Sequence, residues 1–247
     1  MEKARIAELL RPFLTSDLSE QQLGNISMYI DILIKWNQRM NLTAVRQPEE
    51  MVTRHFGESL FAAQHLFPAG KHVRTAAPGR PAEQTSAPSF DSAHNRVTRP
   101  SGTTWDKAAD QISTVVDVGS GAGFPGLPIR IWVPHIRLTL IESNHKKATF
   151  LKEIVRALGF DDVDVFTGRA ETFPGSSADV VTLRAVERFE TVLPIAAALV
   201  KARGRLALLI GTSQIEQAEA ITKNVEWQAS APVPRSNHRV LSSGVKR

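Results

Sequence analysis

The chain of 247 residues contains no cysteine. That absence excludes disulfide frameworks, thiolate zinc sites and cysteine nucleophiles, and it fits a reducing compartment. No segment is long and apolar enough to span a bilayer. The opening residues Met1-Glu2-Lys3-Ala4-Arg5 alternate charged with apolar character where a secretory signal would be continuously apolar, so the expectation is a cytoplasmic protein without membrane attachment. The histidines are scattered without metal-ligand spacing, and no metal is expected. There is no internal repeat. A hydrophobic content of 42% is enough for a sizeable core, in one large domain or one domain plus a small accessory piece. The formal charge of +5 favours a polyanionic partner, since phosphates attract a basic surface and release counterions on binding.

Three regions differ in pattern. In the first, residues 1–68, Ser19 and Gln22 form a capping box, and Leu23, Ile26, Ile30 and Leu33 follow at helical spacing, which predicts an amphipathic helix over about 19–40. A second helix is expected from Pro48 through Met51, Val52 and His55 toward Leu66. Together they read as an N-terminal helical cap. Residues 69–111 then carry Pro78, Pro81, Pro88 and Pro100 among Ala, Ser, Thr and Arg, with almost no apolar periodicity. This is expected to be a flexible insertion, either a solvated linker or one whose Lys71, Arg74, Arg80, Arg96 and Arg99 touch RNA phosphates.

From 112 to 247 apolar runs alternate with amphipathic stretches. Strands are predicted at 114–118, 137–141, 163–166, 179–183 and 205–210, the signature of an α/β protein with a parallel sheet. Between the second and third, Leu151, Ile154, Val155 and Leu158 make one helical face, Lys147, Lys152 and Arg156 lie off it, and Gly159 closes the helix.

The chemistry concentrates at the strand ends. Asp117 ends the first strand, and Gly119, Gly121, Gly123 and Gly126 open a turn into the next helix. Without a Cβ, such positions let a ligand approach the main chain at the edge of the sheet where open α/β folds bind nucleotides, and amides at a helix start can receive a carboxylate or phosphate. The second strand delivers Glu142 to that edge, where an acceptor can take both hydroxyls of a ribose. Gly168-Arg169-Ala170-Glu171 follows the third strand, placed for contacts to an adenine ring, and Arg184-Ala185 ends the fourth. Residues 121–126 also satisfy G-x-G-x-x-G with an acid at nearly the right spacing, so an NAD-dependent oxidoreductase stays open as an alternative. Against it, little chain remains after the fourth strand for a second catalytic domain.

The run Val115-Val116-Asp117-Val118-Gly119-Ser120-Gly121-Ala122-Gly123-Phe124-Pro125-Gly126 resembles the RsmG (GidB) methyltransferases of bacterial 16S ribosomal RNA. The resemblance extends upstream to Trp36-Asn37-Gln38-Arg39-Met40-Asn41-Leu42-Thr43 and Arg54-His55-Phe56-Gly57-Glu58-Ser59-Leu60. Downstream it takes in Glu142-Ser143, Lys146-Lys147, Phe150-Leu151, Gly168-Arg169-Ala170-Glu171 and Arg184-Ala185. It covers about residues 23–211, interrupted by the insertion. The departures are the length of that insertion, Ile210 where the family usually has Lys, and a weak match after Arg239.

The resemblance implies a Rossmann-like class I methyltransferase fold, a mostly parallel seven-stranded sheet with helices on both faces. It implies methyl transfer from S-adenosylmethionine to N7 of a guanine in the decoding-region loop, with 16S ribosomal RNA or the small ribosomal subunit as partner; a monomer is the expectation, though nothing in the sequence fixes the oligomeric state. Gly119, Phe124, Ala170, Glu171 and Arg184 would contact the donor, and Gly121, Gly123 and Glu142 join them from the strand-end reading. Guanine N7 has a free lone pair, so no general base is expected; Asn41 is the candidate for stabilising the developing cation, or else a helix C-terminal residue. Arg54 and His55 are candidates for holding the target base or a phosphate, the competing reading being a solvated charge and a partly buried, satisfied histidine. A non-enzymatic RNA-binding protein on a methyltransferase scaffold is the third possibility.

Overall fold

The computed structural model describes residues 1–68, 113–174, 178–185 and 188–247; the expected insertion at 69–111 lies outside them. The strands are β1 (Thr114–Val118), β2 (Arg137–Glu142), β3 (Val163–Thr167), β4 (Ala178–Arg184), β5 (Val200–Gly211), β6 (Val225–Trp227), β7 (Ala231–Pro232) and β8 (Arg239–Lys246). They form one sheet in the order β3-β2-β1-β4-β5-β8-β6, with the two-residue β7 beside β8. The first five pair in parallel, while β8 runs antiparallel between β5 and β6. This reversed strand separates the topology from the dinucleotide fold, whose order ends β4-β5-β6, and gives the Rossmann-like class I methyltransferase sheet.

β1 is buried along nearly its whole length, Asp117 included, because both of its faces are covered. Val115 joins a core with Leu138, Leu140, Val180, Ala207 and Leu209. Val116 and Val118 join the opposite core with Ile141, Val181, Leu183, Leu206 and Leu208. The period-two alternation of a strand makes this division.

The second face is covered by α7 (Phe189–Leu199) and α8 (Ile215–Ile221). The first face carries α5 (Gly126–Trp132) and α6 (His145–Ala157), and the N-terminal helices share the same core. Among these, α1 is Lys3–Leu10 and α2 is Glu20–Asn37; α3 (Pro48–Met51) and α4 (Glu58–Leu66) flank a π-helical segment, Val52–Gly57. The expected capping box is present: Ser19 Oγ accepts from Gln22 N at 3.2 Å, and Gln22 Oε1 accepts from Ser19 N at 2.8 Å. Leu23, Ile26, Ile30 and Leu33 are buried, and each such side chain contributes about 1.5–3 kcal/mol of apolar burial. α2 ends at Asn37 rather than at 40, because the Asn37 side chain turns to hold the loop that follows.

Candidate functional site

The crevice lies at the carboxyl ends of β1, β2, β3 and β4, with a cavity of about 700 Å³. One wall is the loop after β1. Gly119, Gly121 and Gly123 all adopt positive φ, for two different reasons. At Gly121 a Cβ would meet nothing nearer than Gly119 O at 3.8 Å, so its absence leaves open space beside the backbone. At Gly123 a Cβ would fall against the Tyr29 hydroxyl and within 2.6 Å of Leu127. That glycine is needed for packing.

The loop amides are mostly used within the protein. Gly119 N and Ser120 N donate to Ile141 O at 2.9 and 3.0 Å, and Gly123 N donates to Ser120 O at 2.7 Å. The amides at the start of α5, expected to be available to an anion, are taken as well. Gly126 N donates to Asp117 Oδ2 at 3.2 Å, and Leu127 N to Gly123 O at 2.9 Å. Asp117 is fully buried, and its Oδ1 also accepts from Thr182 Oγ1 at 2.7 Å. Burial pushes its carboxyl up to about 6, against the pull of the Thr182, Gly126 and Ser120 hydrogen bonds and of the Arg184 charge. Asp117 thus ties β1, β4 and α5 together from behind the crevice.

Gly119, Gly121, Phe124, Glu142, Ala170, Glu171 and Arg184 all line the cavity, as do Arg54 and His55. Gly123 and Asn41 do not. Asn41 is exposed, and its Oδ1 accepts from Arg46 at 2.7 Å. Glu142 accepts from Gly121 N at 2.8 Å through one oxygen and from Asn144 N at 2.7 Å through the other. A carboxylate has about four acceptor positions, so one on each oxygen remains.

The opposite wall comes from the helical layer. Arg184, buried at the end of β4, donates through one terminal nitrogen to Arg54 O at 2.7 Å and to Glu58 Oε2 at 2.9 Å, with His55 Nδ1 3.2 Å away. Arg239 shares the same Glu58 oxygen at 3.1 Å. Burial pulls the Arg184 guanidinium down to about 10, opposed by Glu58, and it stays charged at neutral pH. Its Nε is buried without a partner among the described residues. Arg54 itself is exposed and paired with Glu50 at 2.9 Å.

Phe124 stacks between two rings from this layer, Tyr29 at 5.4 Å and 5° and His55 at 4.8 Å and 25°. The Tyr29 hydroxyl donates to Ala122 O at 2.5 Å. Tyr29, Thr43, Glu58 and Arg239 escaped the sequence reading as site residues. Glu58 drew no role from the sequence, although it is only 4% exposed. Thr43 and Glu58 do stand within the quoted motifs, which is the signal that could have found them. Arg54, Lys147, Arg169, Arg184, Arg188 and Arg239 line the cavity against only Glu142 and Glu171, so the crevice is basic.

The model of the GidB family, rRNA small subunit methyltransferase G, matches residues 22–73 and 102–239. The chain belongs to this family. It is 35% identical over 198 residues to ribosomal RNA small subunit methyltransferase G of Exiguobacterium sp. (strain ATCC BAA-1283 / AT1b), covering 78% of this chain and 66% of that one. It is 30% identical over 213 residues to the protein of the same name from Bacillus subtilis, covering 84% and 72%. The chain thus spans about two thirds of the length of these relatives. Among solved structures it is similar to P. horikoshii TYW2 in complex with MeSAdo, with a TM-score of 0.48, 24% identity and coverage of 57% and 59%.

Proposed function

We propose that this GidB-family chain transfers a methyl group from S-adenosylmethionine to N7 of a guanine in 16S ribosomal RNA, acting as a cytoplasmic monomer on the RNA or the small subunit. The observation that carries the reading is the convergence of four strand ends and the glycine loop on one basic crevice, in a chain that matches the family model on both sides of residues 74–101.

The residues present suit such a donor. The space beside Gly121 admits a ligand against the main chain, Glu142 keeps acceptor capacity for a ribose, and Arg184 Nε is a buried donor without a partner. In this reading Gly119, Gly121, Phe124, Glu142, Ala170, Glu171 and Arg184 hold the donor, with Gly123 supporting the loop. The donor supplies an electrophilic sulfonium methyl. Guanine N7 would take that methyl with its own lone pair as the methyl–sulfur bond breaks and the neutral thioether departs, so the chain would move no proton; its residues would orient the base and exclude water. Arg54, at the exposed rim, is suited to a phosphate. Asn41, the candidate for stabilising the product cation, lies outside the cavity lining with its Oδ1 on Arg46.

Incubation with methyl-labelled S-adenosylmethionine and small ribosomal subunits, naked 16S RNA or a small-molecule pool tests the proposal. Label in guanine N7, mapped by mass spectrometry, is the expected result. RNA binding without transfer would make the chain a binding protein, and label only in small molecules would overturn the RNA assignment.

A further inference from the structure

Thr43 stands in the loop after α2 and lines the crevice. The loop is tied to α2: buried Asn37 accepts from Thr43 N at 3.0 Å and donates to Val45 O at 3.3 Å. The Thr43 hydroxyl oxygen accepts from Val45 N at 3.1 Å and lies 2.7 Å from His55 Nε2. Which partner donates in that second bond depends on the histidine tautomer.

The surroundings decide it. His55 Nδ1 faces a terminal nitrogen of Arg184 at 3.2 Å, and a guanidinium can only donate. A proton on Nδ1 would set N–H against N–H beside a cation, so Nδ1 is bare. The groups facing the ring are Arg184, Arg54 and Arg239, with Glu58 engaged by Arg184 and Arg239, and Phe124 stacked on one face. Burial first, then the three arginine charges, pushes His55 down to about 3. The ring is therefore neutral, carries its proton on Nε2, and donates it to Thr43 Oγ1. Both lone pairs of the hydroxyl are then occupied, and its remaining capacity is one O–H donor with no bonded acceptor among the described residues.

A donor-only hydroxyl discriminates between purines. On the edge that carries N7, guanine presents the O6 acceptor and adenine the N6 amino donor. We propose that Thr43 is a specificity-determining residue, its hydroxyl donating to O6 of the target guanine while Arg184 and His55 hold that hydroxyl in its donor-only state. The inference rests on the methyl-transfer function proposed above. A guanine gains a hydrogen bond beside the attacking nitrogen. An adenine meets donor against donor, and sites built to bond one polar group reject analogues that lack it.

The test uses small subunits reconstituted with guanine or 2-aminopurine, which keeps N7 and lacks O6, at the methylated position. Wild type should prefer guanine by about ten- to a hundredfold in kcat/KM, the cost of one buried donor left unpaired. Thr43→Val should bring the two substrates close to equal by slowing guanine alone, with donor affinity unchanged, and Thr43→Ser should restore the preference. If Thr43→Val keeps the preference, or Thr43→Ser fails to restore it, the proposal is overturned. If wild type methylates neither RNA, the proposed function fails and the inference with it. Nitrogen-15 NMR of the wild-type histidines gives a check that needs no variant. His55 should show an Nε2–H ring with no titration between pH 5 and 8, and an Nδ1–H ring or a midpoint near 6.5 would refute the donor-only hydroxyl.

Discussion

Residues 119–126 form one wall of the crevice from a single unbroken run, held by its own backbone and by Asp117 beneath it. The facing wall draws Thr43, His55 and Glu58 from two separate stretches and joins them to β4 and β8 through Arg184 and Arg239. The two buried acids behind these walls make the contrast sharp. Asp117 accepts from an amide and a hydroxyl and faces burial with no cation bonded to it among the described residues. Glu58 holds two guanidinium groups. The first wall is a local structure that a motif can encode; the second exists only once distant segments have met.

The largest effect should come from the second wall. Glu58→Ala leaves two arginines facing each other with one of them buried, and breaking a buried pair costs about 3–5 kcal/mol. Urea denaturation should show that loss, and a change below about 1 kcal/mol would reduce Glu58 to a surface charge. On the loop side, pH is the probe. The carboxyl of Asp117 rises from an ordinary 3.8 to about 6 on folding. The folded state therefore binds the proton more tightly, and this contribution is fully present below about pH 4 and lost as the pH climbs through 6. Wild type measured against Asp117→Asn should lose at most ~3 kcal/mol of relative stability between pH 4 and 7.5. A flat difference would mean that hydrogen bonds to the ionised form outweigh burial.

Much of the loop wall was legible in the sequence. Its glycines, Asp117 and Glu142 stand at strand ends that apolar runs marked clearly, as does Arg184 of the facing wall, and the capping box placed α2 to within a residue at its start. The rest was hidden for physical reasons. The antiparallel β8 carries Ser242, Ser243 and Gly244 in its middle, so neither alternation nor a continuous apolar run announces it. The π-helical segment spans only Val52–Gly57, too few residues for its wider turn to stand out from the α-helical pattern on either side. Glu58 and Arg184 are 126 residues apart, and only the fold makes them partners. Even within the motif, pattern alone did not separate a glycine that opens space for a ligand from one that avoids a clash.

That separation can be measured. Gly123→Ala should destabilise the protein by about 2–3 kcal/mol, from left-handed strain and the push on Tyr29 and Leu127. Gly121→Val meets no clash but carries the same left-handed strain, and by filling the open space it should also lower donor affinity about a hundredfold, some 2.7 kcal/mol. Calorimetric titration with S-adenosylmethionine beside thermal melts tells them apart. Normal donor binding by Gly121→Val would remove the loop from the donor site.

The smallest expected effect tests whether the walls are coupled at all. Tyr29→Phe keeps the ring that stacks on Phe124 at 5.4 Å and removes only the hydroxyl that donates to Ala122 O. The carbonyl is left buried without its partner, a cost of about 1–2 kcal/mol. If the loop relaxes to recover a hydrogen bond, the stability loss shrinks and donor affinity falls, because the backbone beside Gly121 has moved. If it stays in place, stability takes the whole cost and affinity is unchanged. The division between melting temperature and donor Kd in this one variant therefore reports how far the helical layer sets the position of the glycine loop. A variant unchanged in both would show that each wall stands without the other.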